Sequence, residues 1–376
     1  MLVNESKNGS DDCEMARNVV NPYFRGIALA ECVIAPLAIP PNMLLLSAVW
    51  RVTVFPSNLR LILGYLSCIF LLFSFTAIIK GMYILVSPPC TFSFSLRACR
   101  VFEMSTSTMV IPNLYFCLTS LCIERMCAAV RFRHYDKNSG PWLGRALILL
   151  SWCAMFLIYC NDVFILPTDK YVPICESSFL PSRSPYILPG YLVLECLTMV
   201  MTLVTYLYNR HVAQRMVINR ALYDLSARFL VDQNVQVNAI VLPSIALHFV
   251  AHIPMVSLLI PVSAGAYLTI SQPTRSLILH STYVWRLMYA VADPLLAFYF
   301  NVHLRHHLEK GPFGRVMKSL GFDISKTKAP ATSATLEHFR YLDTTWEKNK
   351  NRRVGDANVV SASKKGDAVK KHAFCE

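Results

Sequence analysis

Seven stretches of this chain are nearly unbroken runs of apolar residues: 26–50, 61–86, 101–130, 146–166, 186–209, 236–262 and 277–301. At 1.5 Å of rise per residue, about 20 residues in a helix cross a hydrocarbon layer roughly 30 Å thick. Each run is long enough to do so, and a helix satisfies its own backbone hydrogen bonds in lipid. Polar connections of 10 to 26 residues separate the runs, short enough for antiparallel neighbours. The pattern predicts an all-α membrane protein, a seven-transmembrane helix bundle over residues 26–301. An outer tail, 1–25, precedes it. A short juxtamembrane interfacial helix is expected at 302–320, where Leu304, Leu308, Val316, Met317 and Leu320 recur among basic residues. Residues 321–376 are rich in Lys, Ser, Thr, Asp and Asn and read as a disordered cytoplasmic tail. Its hydroxyls at Thr332, Ser333, Thr335, Ser361 and Ser363 are candidate phosphorylation sites.

Composition agrees with this reading. Of 376 residues, 54% are hydrophobic and only 16% are charged, where a soluble chain carries about 25% charged residues. The net charge of +13 would suit nucleic acid if it formed a patch, but it lies in the connections and the tail, so no nucleic-acid partner is expected. Its distribution instead sets orientation. With the N-terminus outside and the C-terminus cytoplasmic, the inner segments hold 25 Lys and Arg and the outer ones 8. The short loops alone give 10 against 5. The outer tail so assigned carries two glycosylation sequons, at Asn4 and Asn8. No cleavable signal peptide is visible, and the first run is expected to act as a signal anchor.

Of the 13 cysteines, eight fall within the runs and read as small apolar filler. Cys13, Cys90, Cys99 and Cys175 fall in the outer segments, where oxidation is allowed. A disulfide between Cys99 and Cys175 would staple the second outer loop over the bundle; Cys90 and Cys13 are competing partners. Cys375 is second from the end and cannot form a prenylation box.

Catalysis finds no support. The chain has no HExxH, GxSxG, P-loop or Gly-rich dinucleotide loop, and no paired aspartates of an intramembrane protease. No cofactor and no metal are expected. The seventh run offers Arg286 where a retinal Schiff base would need lysine.

What the runs do contain is ionisable side chains at membrane depth, which are costly there and point to function. Arg286 lies roughly 13 Å down the seventh run, with Glu195 at similar depth in the fifth. His248 and His252 are one turn apart in the sixth. The functional reading is a polar ligand cavity in the outer half, lined by Glu103, Asn113, Glu195, His252, Trp285, Arg286 and Tyr289. The plainer reading pairs Arg286 with Glu31 or Glu195 and lets Lys80 and Glu103 snorkel to the interface. Prolines at 36, 40, 41, 112, 243, 254 and 294 should kink their helices. Pro254 and Pro294, with Asp293, are the expected pivots.

Glu124-Arg125 closes the third run. The stretch Ser120-Leu121-Cys122-Ile123-Glu124-Arg125-Met126-Cys127-Ala128 resembles the helix-three end of rhodopsin-like receptors, and more closely the ERxxA form of nematode serpentine chemoreceptors. Phe55-Pro56-Ser57-Asn58-Leu59-Arg60 is similar to their FHxNLK segment before helix two. Leu225-Ser226-Ala227-Arg228-Phe229 with Gln233-Asn234 resembles their LSERYQ…EN stretch, and Asp293-Pro294-Leu295-Leu296-Ala297-Phe298 their DPxxxF. The resemblance is to the Sra and Srab group and runs from the first run to the seventh. It implies that Glu124 and Arg125 couple to the α subunit of a heterotrimeric G protein, that Trp152 is a core tryptophan and that Asn42 is a polar hub. This chain departs from most rhodopsin-like receptors in lacking an aspartate at Leu66–Phe70, in Asp293 for asparagine, in Ala297 for tyrosine and in His252 for tryptophan.

The expected function is a chemosensory G-protein-coupled receptor, multi-pass in the plasma membrane and in sensory cilia, with a small-molecule or peptide ligand, membrane lipid as solvent and room for homo- or heterodimers. A ligand-gated cation channel of the odorant-receptor type would instead have its N-terminus inside. A small-solute transporter should show a repeated helix pattern, which this sequence lacks.

Overall fold

The computed structural model describes residues 13–14, 17–52, 55–86, 94–103, 110–131, 141–164, 171–172, 175, 187–218, 225–263, 271–301, 304–305 and 307–308. All fall in the first of two compact units, residues 1–320 and 321–376. Asn4, Asn8, the tail hydroxyls and most of 302–320 lie outside the described residues.

Seven long helical segments form the bundle: α1 (Pro22–Arg51), α2 (Ser57–Val86), α4 (Val110–Val130), α5 (Trp142–Phe164), α6 (Ile187–Ile218), α7 (Leu225–Ser263) and α8 (Gln272–Phe300). A short α3 (Leu96–Glu103) precedes α4. Six of the long helices, all but α8, are long and apolar enough to cross a membrane. The 29-residue α8 is long enough but dilutes its apolar content with His280, Arg286 and Asp293, all buried.

Asparagines mark two of the helix ends. Asn21 caps α1, its side chain accepting from the Phe24 N–H at 2.9 Å, with Pro22 at the first position. Asn301 ends α8, and its Oδ1 then accepts from the Leu304 N–H at 2.8 Å, starting the next turn. Several helices overrun the apolar runs: α7 starts at Leu225, eleven residues before its run, and α6 continues to Ile218. Hydropathy marks only the part of a helix that lipid must accept.

α4 is the central helix, touching α2, α5, α6 and α7, while α1 packs on α2 and α8, and α7 on α6 and α8. Two thirds of the spanning part of α4 is buried, against 17% for α5 and 22% for α6. The peripheral helices turn Leu149, Leu150, Phe156, Leu157, Val200 and Val204 outward. In lipid such faces cost nothing, so close packing and interhelical hydrogen bonds must hold the bundle together. Leu59, Ile62, Phe70, Leu121, Ile245 and Leu287 fill its interior.

Glycines set the closest approaches. A Cβ at Gly81 would stand 2.6 Å from Cys32 Sγ and 3.0 Å from the Ala28 carbonyl oxygen, so α1 and α2 touch there. At Gly144 it would meet the Asn58 main chain at 3.1 Å, and the Gly144 N–H donates to Asn58 Oδ1 at 2.9 Å.

At the α3 end, β1 (Phe94–Ser95) pairs antiparallel with β2 (Tyr171–Val172). Cys99 and Cys175 form a disulfide with Cα atoms 5.1 Å apart, and the Cys175 N–H donates to Tyr83 Oη at 3.2 Å. The second loop is thus tied to the bundle by one disulfide, one strand pairing and one hydrogen bond. Cys13 is also disulfide-bonded.

The prolines do not interrupt the helices. α1 runs through Pro36, Pro40 and Pro41, and α8 through Pro294. Pro112 falls in the first turn of α4, where its missing N–H is not needed.

Candidate functional site

Six polar and aromatic side chains of α4, α6, α7 and α8 meet in one cluster. His248 and His252, four residues apart, share one face of α7, and their rings stack with centroids 3.7 Å apart. Glu195 reaches across from α6, its Oε1 2.7 Å from His248 Nδ1. Tyr115 of α4 and Tyr289 of α8 set their rings roughly edge-on to both histidines, at 5.2 to 5.7 Å. Arg286 enters from α8 close to Tyr115. Every member is under 10% exposed. Beside it lies a cavity of about 10 Å³, lined in part by Tyr115, Thr119, Glu195, Thr198 and His248. That is room for about one water molecule.

Four of the seven residues expected to line a cavity are brought together: Glu195, His252, Arg286 and Tyr289. Three are placed elsewhere. Glu103 forms a buried ion pair with Lys80 at 3.0 Å, both nearly inaccessible. This corrects the snorkelling expectation, because each charge has a partner and needs no interface. Asn113 faces α2 and accepts from Tyr65 Oη at 2.8 Å. Trp285 is 48% exposed and donates to the Ala251 carbonyl at 2.7 Å, lying across the α7 main chain. Glu31, offered as a partner for Arg286, is instead 3.0 Å from His280 Nδ1.

Tyr115 and His248 belong to the cluster but were missing from the sequence-based cavity. The signal for His248 was present, since a residue four before His252 must share its face. Tyr283 joins the cluster to the ion pair: its ring centre lies 4.4 Å from Lys80 Nζ and 5.8 Å from Arg286 Cζ.

Toward the other end of α4, Arg125 is buried rather than held at a lipid surface. Its Nε and Nη2 both donate to Glu124. Its Nη1 reaches Asn234 Oδ1 on α7 at 3.5 Å, and Asn234 Nδ2 donates back to the Ala128 carbonyl at 3.2 Å. One amide thus ties α7 to the arginine and to the backbone of α4.

Between the two clusters, Ser244 Oγ of α7 donates to Asp293 Oδ1 of α8, and Tyr289 Oη reaches the same oxygen at 3.4 Å. Asn42 Nδ2 donates at 2.8 Å to the carbonyls of Ala38 and Ala290, joining α1 to α8. Trp152 is 41% exposed, with its ring tilted against Tyr65 at 6.4 Å. It borders the periphery instead of the core, because α5 is an outer helix.

Comparison with known proteins fits this architecture. A similar curated protein is serpentine receptor class alpha/beta-14 of Caenorhabditis elegans, 24% identical over 160 residues. That alignment spans 42% of this chain and 41% of the relative, less than half of each. Residues 10–305, which include all seven long helices, match the family described as serpentine type 7TM GPCR receptor class ab chemoreceptor. With the seven-helix bundle and the buried Glu124-Arg125 pair in place, the chain belongs to that serpentine receptor family, a family of chemoreceptors and not of enzymes.

Proposed function

We propose that this protein is a chemosensory G-protein-coupled receptor of the plasma membrane, with its N-terminus outside and Arg125 at the cytosolic end of α4. The charge distribution of the loops supports that orientation. A ligand reaches the cluster of Glu195, His252, Arg286 and Tyr289 from the outer side. Binding favours an arrangement in which the inner part of α7 leaves α4 and opens a groove for the G-protein α subunit. Pro254 and Pro294 are the positions about which α7 and α8 pivot.

The observation that carries this reading is the state of Arg125. Its guanidinium is turned inward to Glu124 and latched to α7 through Asn234. A residue held this way is withheld from a partner, and moving α7 releases it. The latch and the close-packed polar cluster together support reading this as a resting conformation. The test is Arg125→Ala in cells carrying a G-protein reporter, with surface display measured in parallel. Loss of agonist-driven signal at unchanged display supports the assignment; full signalling by the variant overturns it.

A further inference from the structure

The cluster contains more donor atoms than its own contacts use. Both carboxylate oxygens of Glu195, Nε2 of His248 and Nε2 of His252 have no hydrogen-bond partner among the described residues. The 2.7 Å approach of His248 Nδ1 to Glu195 Oε1 is out of line for a hydrogen bond. These side chains are 4%, 1% and 0% exposed, and the adjoining cavity has room for about one water, too little to satisfy all four atoms. Leaving such groups unpaired is costly.

We propose that Glu195, His248 and His252 bind a divalent transition-metal ion of the zinc class. One ligand atom from each lies within 4.8 Å of the other two. Tetrahedral ligand atoms about 2.0 Å from zinc sit roughly 3.3 Å from each other, so rotamer adjustments of about an ångström complete the set. Two histidines at i and i+4 on one helix face are a standard way to offer two imidazoles to one ion. Nδ1 of His252 lies 2.9 Å from the His248 carbonyl oxygen. A carbonyl can only accept, so Nδ1 carries the proton and Nε2 keeps its lone pair. This is the supporting hydrogen bond that metal-binding histidines usually make. The adjacent cavity, with room for about one water, supplies a fourth ligand. Imidazole and carboxylate donors suit zinc, copper and nickel better than calcium or magnesium.

Arg286 opposes the cation, since it lies close enough to interact with Glu195 and both histidines. Its charge lowers affinity for the ion. Metal binding stands on this donor geometry alone. Its consequence rests on the receptor reading: the ion would pin α6 to α7 at the level of the ligand cavity and so act on signalling.

The test uses full-length, tag-free receptor in detergent or nanodiscs, titrated with Co²⁺, whose visible bands report tetrahedral coordination. The expected result is one equivalent bound, bleached by Zn²⁺, lost in Glu195→Gln and in His252→Ala, and regained in Glu195→His, which replaces one ligand by another. Arg286→Gln should tighten binding by about tenfold. The histidines at 303, 306 and 307 are a second potential cobalt site, which the same variants exclude. Absence of the band, its persistence in Glu195→Gln and His252→Ala, or its failure to return in Glu195→His overturns the site. None of these readouts depends on coupling to a G protein, so a failed signalling assay does not decide the matter.

Discussion

Asn42 donates at 2.8 Å to the carbonyl of Ala290, the one carbonyl in α8 that Pro294 deprives of its helical donor. Proline has no N–H, so the oxygen four residues before it loses its partner. An amide from α1 replaces the missing bond, 248 residues away in sequence. Asn42→Ala should therefore cost about 1–3 kcal/mol by stranding a buried acceptor. Thermal unfolding of purified receptor measures it. Pro294→Ala restores the helical N–H, so the double variant should lose much less than the sum of the single losses. Additive losses would show that the two residues are not energetically paired.

Asn234 is the link between Arg125 and α7. Asn234→Ala removes the amide without touching the charge, and should raise ligand-independent signalling. A loss of about 1 kcal/mol in the resting form corresponds to a roughly fivefold shift in population. Basal reporter activity normalised to surface display reads it directly. Unchanged basal activity would mean that the latch contributes nothing to the resting state.

Lys80 and Glu103 pair within the bundle at 3.0 Å. Removing one partner leaves a buried, uncompensated charge, so Lys80→Met or Glu103→Gln alone should cost about 3–5 kcal/mol and reduce display sharply. The double variant Lys80→Met with Glu103→Leu should recover most of that loss. The check is surface display together with thermal unfolding of whichever variants purify. If both singles behave like the native chain, the pair is energetically idle.

The proposed orientation predicts that the sequons at Asn4 and Asn8 are used. Glycosidase treatment should increase gel mobility, and Asn4→Gln with Asn8→Gln should abolish the shift. An accessible N-terminal tag in unpermeabilised cells is the independent check. A tag reachable only after permeabilisation would place Arg125 on the wrong side for coupling.

The seven helices were legible because lipid demands long apolar runs, and that demand is written in hydropathy. Their ends were not. α7 continues eleven residues beyond its apolar run at Leu225, where the sequence turns polar while the helix goes on. The site was legible by depth but not by direction. Asn113 and Tyr115 are two positions apart on α4, about 200° around it. One meets Tyr65 of α2 and the other meets the histidines of α7. Trp285 adjoins Arg286 in sequence yet lies half-exposed across α7. Helix rotation is decided by packing against neighbours, and a single sequence contains no direct record of that packing. The Lys80 pair with Glu103 shows the same limit, since either residue alone reads as a charge seeking water.

The contact at Gly81 divides the work of the molecule. With no side chain there, α2 presses against Cys32 and Ala28 so closely that even one extra carbon would collide. Close-packed surfaces of this kind do not deform gradually. The first two helices are therefore expected to travel as one piece, and in the proposed mechanism any stroke between the two faces of the bilayer falls to helices that run past them.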